Sequence, residues 1–357
     1  MNLKQSLSFT RSDFITGILV FVLIFIVSFG SRQLRLSSSN SIIIDTEIDL
    51  RYSGNINLSG LTTILDSLKI DYDRDELNWS ARILGWRTFK EGSYTLEGDY
   101  SYDLILSKLA RGIQDPVPVV ILPGINNIRF SETVGNQLSA TSDEILAMFT
   151  DSVFLNELKL GSEDLFGRML PETYLVYWTT TPKDFLRRIL KEFEEKVVDE
   201  FTDTAQEEGL TINEVLIMAS IVEWEAFMEE EKPIISGLYW NRINNRMRLQ
   251  ADPTINFALG ERRRLLFEDY QLVHPYNTYL KRGLPPGPIT NPSLSTIRAT
   301  VYPQEHDYIY MVANPEGGHV FTRTFVEHQI ESEKWRKWLR EQYRIKRQRD
   351  SEEASSQ

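Results

Sequence analysis

The sequence predicts an α+β protein carried on one N-terminal membrane-spanning helix, with a small α+β module followed by a larger mixed α/β region. Three observations predict it. Residues 14–30 form an uncharged apolar run (FITGILVFVLIFIVSFG). Residues 42–125 alternate short strand and helix signals. Beyond residue 126, capped helical stretches alternate with proline-rich loops. The chain has 357 residues, too many for one ordinary core and enough for two domains beside an anchor.

The apolar run lies at the short end of the roughly 17–25 residues a spanning helix needs. Lys4 and Arg11 precede it and Arg32 and Arg35 follow. The early charges and the free amine tilt the balance toward an N-terminus inside. Ser28-Phe29-Gly30 also has the small-x-small form of a signal-peptidase site, so a cleaved signal peptide is the competing reading. Either way the rest of the chain is exported. The expected order is a cytoplasmic N-terminus (1–13), a transmembrane helix (14–30) and a linker (31–41) holding Ser37-Ser38-Ser39-Asn40-Ser41.

In the small module, Ile42-Ile43-Ile44 reads as a strand. Leu61, Ile64, Leu65 and Leu68 mark one helix face, with Ser59 as the expected N-cap. Tyr94 lies in a turn-to-strand stretch, and Leu104, Ile105 and Leu109 predict a helix after Ser101. The β-branched run VPVVIL (117–122) predicts a strand stopped by Pro123-Gly124. Residues 128–205 read as helical, interrupted at Pro171-Glu172-Thr173-Tyr174. Thr181-Pro182 starts a helix, and the charged stretch 183–200 reads as an outer, solvated one.

Thr211 and Glu214 form a capping box for a helix reaching about Phe227. Lys232-Pro233 ends it or starts the next. Gly283-Leu284-Pro285-Pro286-Gly287-Pro288 can be only a rigid loop. Asn291-Pro292 is expected to cap a helix through about Val301. The segments 308–313 and 319–322 flank Asn314-Pro315-Glu316-Gly317-Gly318 as a hairpin. In the last stretch (333–357), Trp335, Trp338 and Leu339 predict an amphipathic helix that docks on the body, or alternatively touches a membrane surface, before a disordered DSEEASSQ tail.

Composition excludes several functions. The net charge of -12 disfavours a nucleic-acid binder, which needs a positive phosphate-facing surface. With no cysteine, disulfides, thiol catalysis and cysteine zinc sites are ruled out. The four histidines (His274, His306, His319, His328) never fall at His-x-x-x-His spacing, so a helix-borne zinc-protease site is absent.

Glu223 stands out. Its helix reads EVLIMASIVEWEAF, and the residues sharing its face are Ala219, Ser220, Ala226 and Phe227, with Leu216 two turns back. An apolar surround would disfavour the charged form and make Glu223 a proton donor near neutral pH. The bland alternative is an internal ion pair with Arg242 or Arg248. Glu225 competes for the role, but two residues on a helix differ by roughly 200° in direction. Both carboxylates therefore cannot face one cleft. Nearby loops supply amides, hydroxyls and aromatic rings of the kind that suit a sugar.

In order along the chain come Ala219-Ser220-Ile221-Val222-Glu223-x-Glu225, Asn241-Arg242-Ile243, Met247-Arg248-Leu249-Gln250-Ala251-Asp252-Pro253-Thr254, Tyr276-Asn277-Thr278-Tyr279, Gly283-Leu284-Pro285-Pro286-Gly287-Pro288-Ile289, Asn291-Pro292 and Gly317-Gly318-His319. This set resembles the YceG-like (MltG) family of endolytic murein transglycosylases over roughly residues 80–330. Pro171-Glu172-Thr173-Tyr174 fits the same pattern. The resemblance implies a LysM-like module at 42–125 and a catalytic domain at 126–332 with its catalytic glutamate on a helix. That glutamate is aligned with Glu223, in a motif that departs from the family's usual Glu-Lys-Glu-Thr as Glu223-Trp224-Glu225-Ala226. Substrate contacts are expected from Glu225, Asn241, Gln250, Asp252, Tyr276, Asn277, Tyr279 and Asn291.

The implied chemistry is cleavage between N-acetylmuramic acid and N-acetylglucosamine inside peptidoglycan strands, leaving 1,6-anhydro ends. One carboxylic acid suffices, because the attacking group is the substrate's own C6 hydroxyl, and no metal or organic cofactor is implied. The implied setting is the inner (cytoplasmic) membrane, single-pass, with the catalytic domain periplasmic and working beside peptidoglycan synthases such as penicillin-binding proteins. Two other readings stay open at this point: a hydrolase pairing Glu223 with Asp252, and a non-catalytic cell-wall-binding scaffold.

Overall fold

The structure is a computed structural model that describes residues 10–38 and 41–355, with side chains to residue 350. Residues 1–9 of the expected cytoplasmic segment, Ser39-Asn40 of the linker and Ser356-Gln357 of the tail lie outside the described residues. The chain divides into two compact units. The first runs to Val117 and takes in Tyr177–Thr179; the second holds Pro118–Val176 and everything from Thr180 onward.

The first unit opens with helix α1 (Arg11–Leu36), closed at its start by a capping box between Thr10 and Asp13. Its apolar side chains from Phe14 to Phe29 are exposed, and it is apolar and long enough to cross a membrane. The helix continues past residue 30, where the sequence suggests linker. Arg35 explains part of this extension: its guanidinium pairs with Glu76 and lies 4.1 Å from the ring centre of Trp79.

Then follow β1 (Ile42–Tyr52), β2 (Ile56–Asn57), α2 (Leu58–Ser67), β3 (Asp71–Tyr72), α3 (Arg74–Leu84), β4 (Thr88–Phe89), β5 (Gly92–Tyr100) and α4 (Tyr102–Arg111). Strand β1 is central and antiparallel to β3 and β5, and its register against β5 shifts between Ile44 and Ile48. Strands β2 and β4 form a separate pair. The α2 cap is Asn57, whose side chain accepts from Gly60 N–H, so Ser59 is already helical. Ser101 caps α4 as expected. Leu50, Leu61, Leu77, Phe89, Tyr94 and Leu106 form the heart of this unit's own core.

Strand β6 (Pro116–Val120) leads into the second unit, which is mainly helical: α5 (Asn127–Gly135), α6 (Ser142–Ala147), α7 (Ser152–Leu158), α8 (Ser162–Gly167), then strand β7 (Thr173–Tyr177) and α9 (Pro182–Phe193). A π-helical stretch, Glu194–Val198, joins α9 to α10 (Asp199–Glu207). The charged stretch is thus a helix with one solvated face, as expected, and one buried face of Phe185, Leu186, Ile189, Phe193 and Val197.

Helix α11 (Ile212–Glu225) starts at the capping box of Thr211 and Glu214. Every residue from Val215 to Val222 is buried, the pattern of a helix running through a core rather than along a surface. A 3-10 turn (Glu229–Glu231) precedes α12 (Lys232–Asn244). Then come α13 (Asp252–Leu259), α14 (Leu294–Val301), the hairpin β8 (Tyr310–Ala313) and β9 (His319–Thr322), and α15 (Phe325–Ser355). The hairpin pairs Tyr310 with Thr322 and Ala313 with His319.

Three further boundaries differ from the sequence reading. Helix α11 stops at Glu225, two residues early, because Ala226 turns extended. The cap of α14 is Ser293, whose hydroxyl accepts from Thr296 N–H, leaving Asn291 free for another task. Helix α15 runs on to Ser355 through residues expected as disordered tail; Glu352, Glu353 and Ala354 are good helix formers.

Candidate active site

Helix α11 delivers two carboxylates from its last turn, and they enter different surroundings. Glu223 points to the start of α14. Its Oε2 accepts from Ser293 N–H (2.9 Å), from the Ser293 hydroxyl (2.7 Å) and from the Thr296 hydroxyl. Its Oε1 lies 3.8 Å from Lys232 Nζ. Lys232 is buried too, and also donates to Glu229 (2.5 Å), Ser293 and Ser295. The Glu223 side chain is only 8% exposed.

The sequence expects an apolar wall around Glu223; the structure supplies hydroxyls, an amide and an ammonium. The presumed neighbours are engaged elsewhere. Phe227 is 86% exposed. The Ser220 hydroxyl accepts from Ile289 N–H and donates to Ile217 carbonyl. The expected arginine partners are also elsewhere. Arg242 donates to the carbonyls of Ile309 (2.7 Å) and Leu249, and Arg248 is exposed. Between the two acids, Trp224 Nε1 donates to Gly124 carbonyl at 2.6 Å, which fixes the helix end.

Glu225 points the other way, into a cleft of about 400 Å³. Tyr239 donates its hydroxyl to Glu225 Oε1 at 2.9 Å on the cleft floor. Gln250, Asp252 and Tyr279 form one wall; the β8–β9 hairpin, with His319, and the start of α15 form the other. Burial pushes the Glu225 carboxyl up to about 7, the Tyr239 bond opposes that, and the negative charge of Asp252 reinforces it. Arg242, and His319 when it is protonated, act in the same direction as Tyr239, more weakly. A carboxyl held near 7 can carry a proton at neutral pH and also part with it.

The Gln250–Asp252 wall is built by local stitching. Gln250 has left-handed backbone (φ 52°) and donates its N–H to Thr278 carbonyl, and Ala251 N–H donates to Thr278 Oγ1. Asp252 Oδ1 accepts from the Tyr279 hydroxyl at 2.6 Å, and Tyr270 packs edge-on against Tyr279 with centroids 4.7 Å apart. The cleft thus gathers Glu225, Gln250, Asp252 and Tyr279 from the expected set.

The other expected contacts sit behind the site. Asn277 is fully buried; its amide donates to the carbonyls of Tyr270 and Leu272, and its oxygen accepts from Tyr279 N–H. It therefore shapes the loop that presents Tyr279. Asn291 is equally buried, donating to Leu122 and Met169 carbonyls and accepting from Ile125 N–H. Tyr276 is buried against Phe257, with ring centroids 4.5 Å apart. Asn241 donates to the carbonyls of His306 and Tyr308 and borders a separate cavity. All four side chains make backbone or packing contacts outside the lining of the cleft.

Sequence reasoning missed Tyr239, Lys232, Ser293, Glu231 and the use of His319. Only His319 carried a visible signal, its place after Gly317-Gly318. The others come together from segments up to 88 residues apart along the chain.

Comparison with known proteins agrees in one direction. The model of the YceG-like family matches residues 55–334. An endolytic murein transglycosylase of Bacillus subtilis (strain 168) is 27% identical over 318 residues, covering 83% of this chain and 88% of that protein. One from Streptococcus pneumoniae serotype 2 is 29% identical over 273 residues; the match takes in 68% of this chain but only 49% of that longer protein. Among solved structures, a YceG-like protein of Listeria monocytogenes superposes with a TM-score of 0.58 at 26% identity, covering 79% of this chain and 98% of that one.

Proposed function

The chain belongs to the YceG-like family, and we propose that it cleaves peptidoglycan glycan strands as an endolytic murein transglycosylase with Glu225 as its proton donor. The enzyme is a lytic transglycosylase. The observation that carries the site assignment is the position of Glu225: an acid held near 7 on the floor of a polar cleft.

Glu225 would protonate the glycosidic oxygen as the bond to C1 breaks. The C6 hydroxyl of the muramic ring, held close by the ring itself, closes on C1, and the Glu225 carboxylate takes its proton. Bond breaking and bond making balance without water, and the acid is restored. Gln250, Asp252 and Tyr279 line the path and would hold the sugars. Tyr239 holds the carboxyl in place from below.

The motif alone assigned the acid to Glu223. Two observations favour Glu225 instead. The Glu223 carboxylate is enclosed and clamped by Ser293, Thr296 and Lys232, which suits a structural anchor. Only Glu225 of the two borders the cleft. Digestion of purified peptidoglycan followed by mass analysis tests the reading. Wild type is expected to give anhydro ends and E225Q none, while reducing ends with added water would mean hydrolysis through Glu225 and Asp252.

The first unit, with its own α+β core, supports reading it as the LysM-like module. The exposed apolar α1 supports a single membrane pass, with the N-terminus inside and the catalytic unit outside the cytoplasm. Work beside peptidoglycan synthases, trimming nascent strands, belongs to the same proposal.

A further inference from the structure

The cleft holds a second device, in the hairpin wall opposite Gln250 and Asp252. Glu231 ends the 3-10 turn that follows α11, and its carboxylate reaches across to β9. Oε1 accepts from the His319 backbone N–H at 2.6 Å, and Oε2 pairs with His319 Nδ1 at 2.8 Å. Both side chains are nearly enclosed, at 12% and 13% exposed. Ionised carboxylate only accepts, so Nδ1 must be the ring nitrogen that bears hydrogen. The ring's other nitrogen, Nε2, makes no hydrogen bond among the described residues, and His319 lines the cleft beside Glu225.

Gly318 shows that the chain is built around this pair. Its φ is 66°, and a Cβ there would stand 2.3 Å from Glu231 Oε1 and 3.0 Å from Met228 Sδ. A side chain at 318 and a Glu231 carboxylate clasping His319 could not occupy the same space. Glu231 also sits at the end of the short segment that Glu225 begins. One connection therefore carries the acid at its start and fixes the opposite wall at its end.

We propose that His319, in its neutral form, is a substrate-contacting residue that offers Nε2 as a hydrogen-bond acceptor to a hydroxyl or acetamido N–H of the sugar beside Glu225, and that Glu231 is the positioning residue that holds its tautomer. A fixed acceptor in this place distinguishes a sugar presenting a donor there from one whose group is substituted. This rests on reading the cleft as the glycan site.

The test uses the full-length chain and three variants. H319N keeps an amide N–H for Glu231 but removes Nε2. H319Q places an amide oxygen near where Nε2 stood but loses the Glu231 contact. E231Q keeps an acceptor for Nδ1 but can also present its amide the wrong way round. Thermal unfolding and formation of anhydro ends are measured on all, with binding of uncrosslinked glycan strands measured in the inactive E225Q background. H319N is expected to unfold like wild type while kcat/KM and glycan affinity fall about tenfold, the worth of one good hydrogen bond. H319Q should recover part of the affinity, and E231Q should fall between. The proposal is overturned if H319N binds and cleaves like wild type, or if activity in the three variants merely tracks their loss of thermal stability. Should wild type itself yield no anhydro ends, the reading of the cleft fails, and that outcome is separate from these.

Discussion

Glu223 and Glu225 leave the same helical turn two residues apart, yet one enters a closed nest and the other an open cleft. The nest is made of donors: an amide, two hydroxyls and an ammonium converge on Glu223. The cleft offers Glu225 one phenol and a neighbouring acid. The donors tie α11 to the starts of α12 and α14; the cleft leaves a carboxyl that can exchange a proton. The helix period separates the two functions, because a 200° turn puts them on opposite sides. Anchoring one carboxylate firmly is also what gives its neighbour a fixed aim.

The largest effect should come from replacing the cleft acid. E225Q keeps shape and hydrogen bonding to Tyr239 but cannot deliver a proton, so formation of anhydro ends should fall by about 10²–10⁴-fold with thermal unfolding little reduced. E223Q is expected to keep activity within about tenfold. The reverse result, a dead but folded E223Q beside an active E225Q, would transfer the catalytic role to the nest.

The complementary change tests the anchor. E223A removes one of the two carboxylates beside the buried Lys232 ammonium, leaving it Glu229 and the Ser293 and Ser295 hydroxyls, and strips acceptors from Ser293 and Thr296. Breaking a buried pair from one side costs about 3–5 kcal/mol, and the loss should appear as a lower denaturant midpoint. An unchanged midpoint would mean that the nest does not hold the helices together.

The cleft acid should also show itself in the pH dependence of stability. A carboxyl whose pKa rises on folding leaves stability untouched while both states are protonated, below about 4.3. From there to about 7 the unfolded chain gives up its proton and the folded chain keeps it, so stability declines as pH rises, and the penalty is constant above. At 1.36 kcal/mol per unit the ceiling is about 4 kcal/mol. E225Q abolishes that penalty. Its melting temperature should therefore gain on wild type between pH 5 and pH 8, and a gap independent of pH would refute the raised pKa. Catalysis by the protonated acid should decline over the same upper range.

How much of this was readable in the sequence follows from range. The Ser101, Thr181 and Thr211 caps were legible because a cap is decided within three residues. Asn57 was missed in favour of Ser59 because the first apolar position, Leu61, suggested a later start than the backbone takes. The divergence of Glu223 and Glu225 was legible from helix geometry, but which of them meets the cleft was not. That depends on Ser293, Thr296 and the β8–β9 hairpin, far along the chain. The loop motif around Tyr276 to Tyr279 was found as a motif, while its division of labour was not: Asn277 braces the turn and Tyr279 faces the cleft.

The smallest expected effect isolates the one bond Glu225 makes inside the protein. Y239F removes a hydroxyl that favours the ionised carboxylate, and leaves the ring in its packed position. Two consequences oppose each other. With the donor gone, burial acts with less resistance, so the pKa of Glu225 should climb further and the alkaline limb of the pH–rate profile should move upward, by about a unit or less. The carboxyl also loses the contact that fixes its orientation, so the plateau rate should drop by about tenfold or less. A shifted limb with a modestly lower plateau marks Tyr239 as acting through Glu225. A lower plateau with an unmoved limb would place its effect in the packing of the cleft floor, and the contrast between nest and cleft would then rest on burial alone.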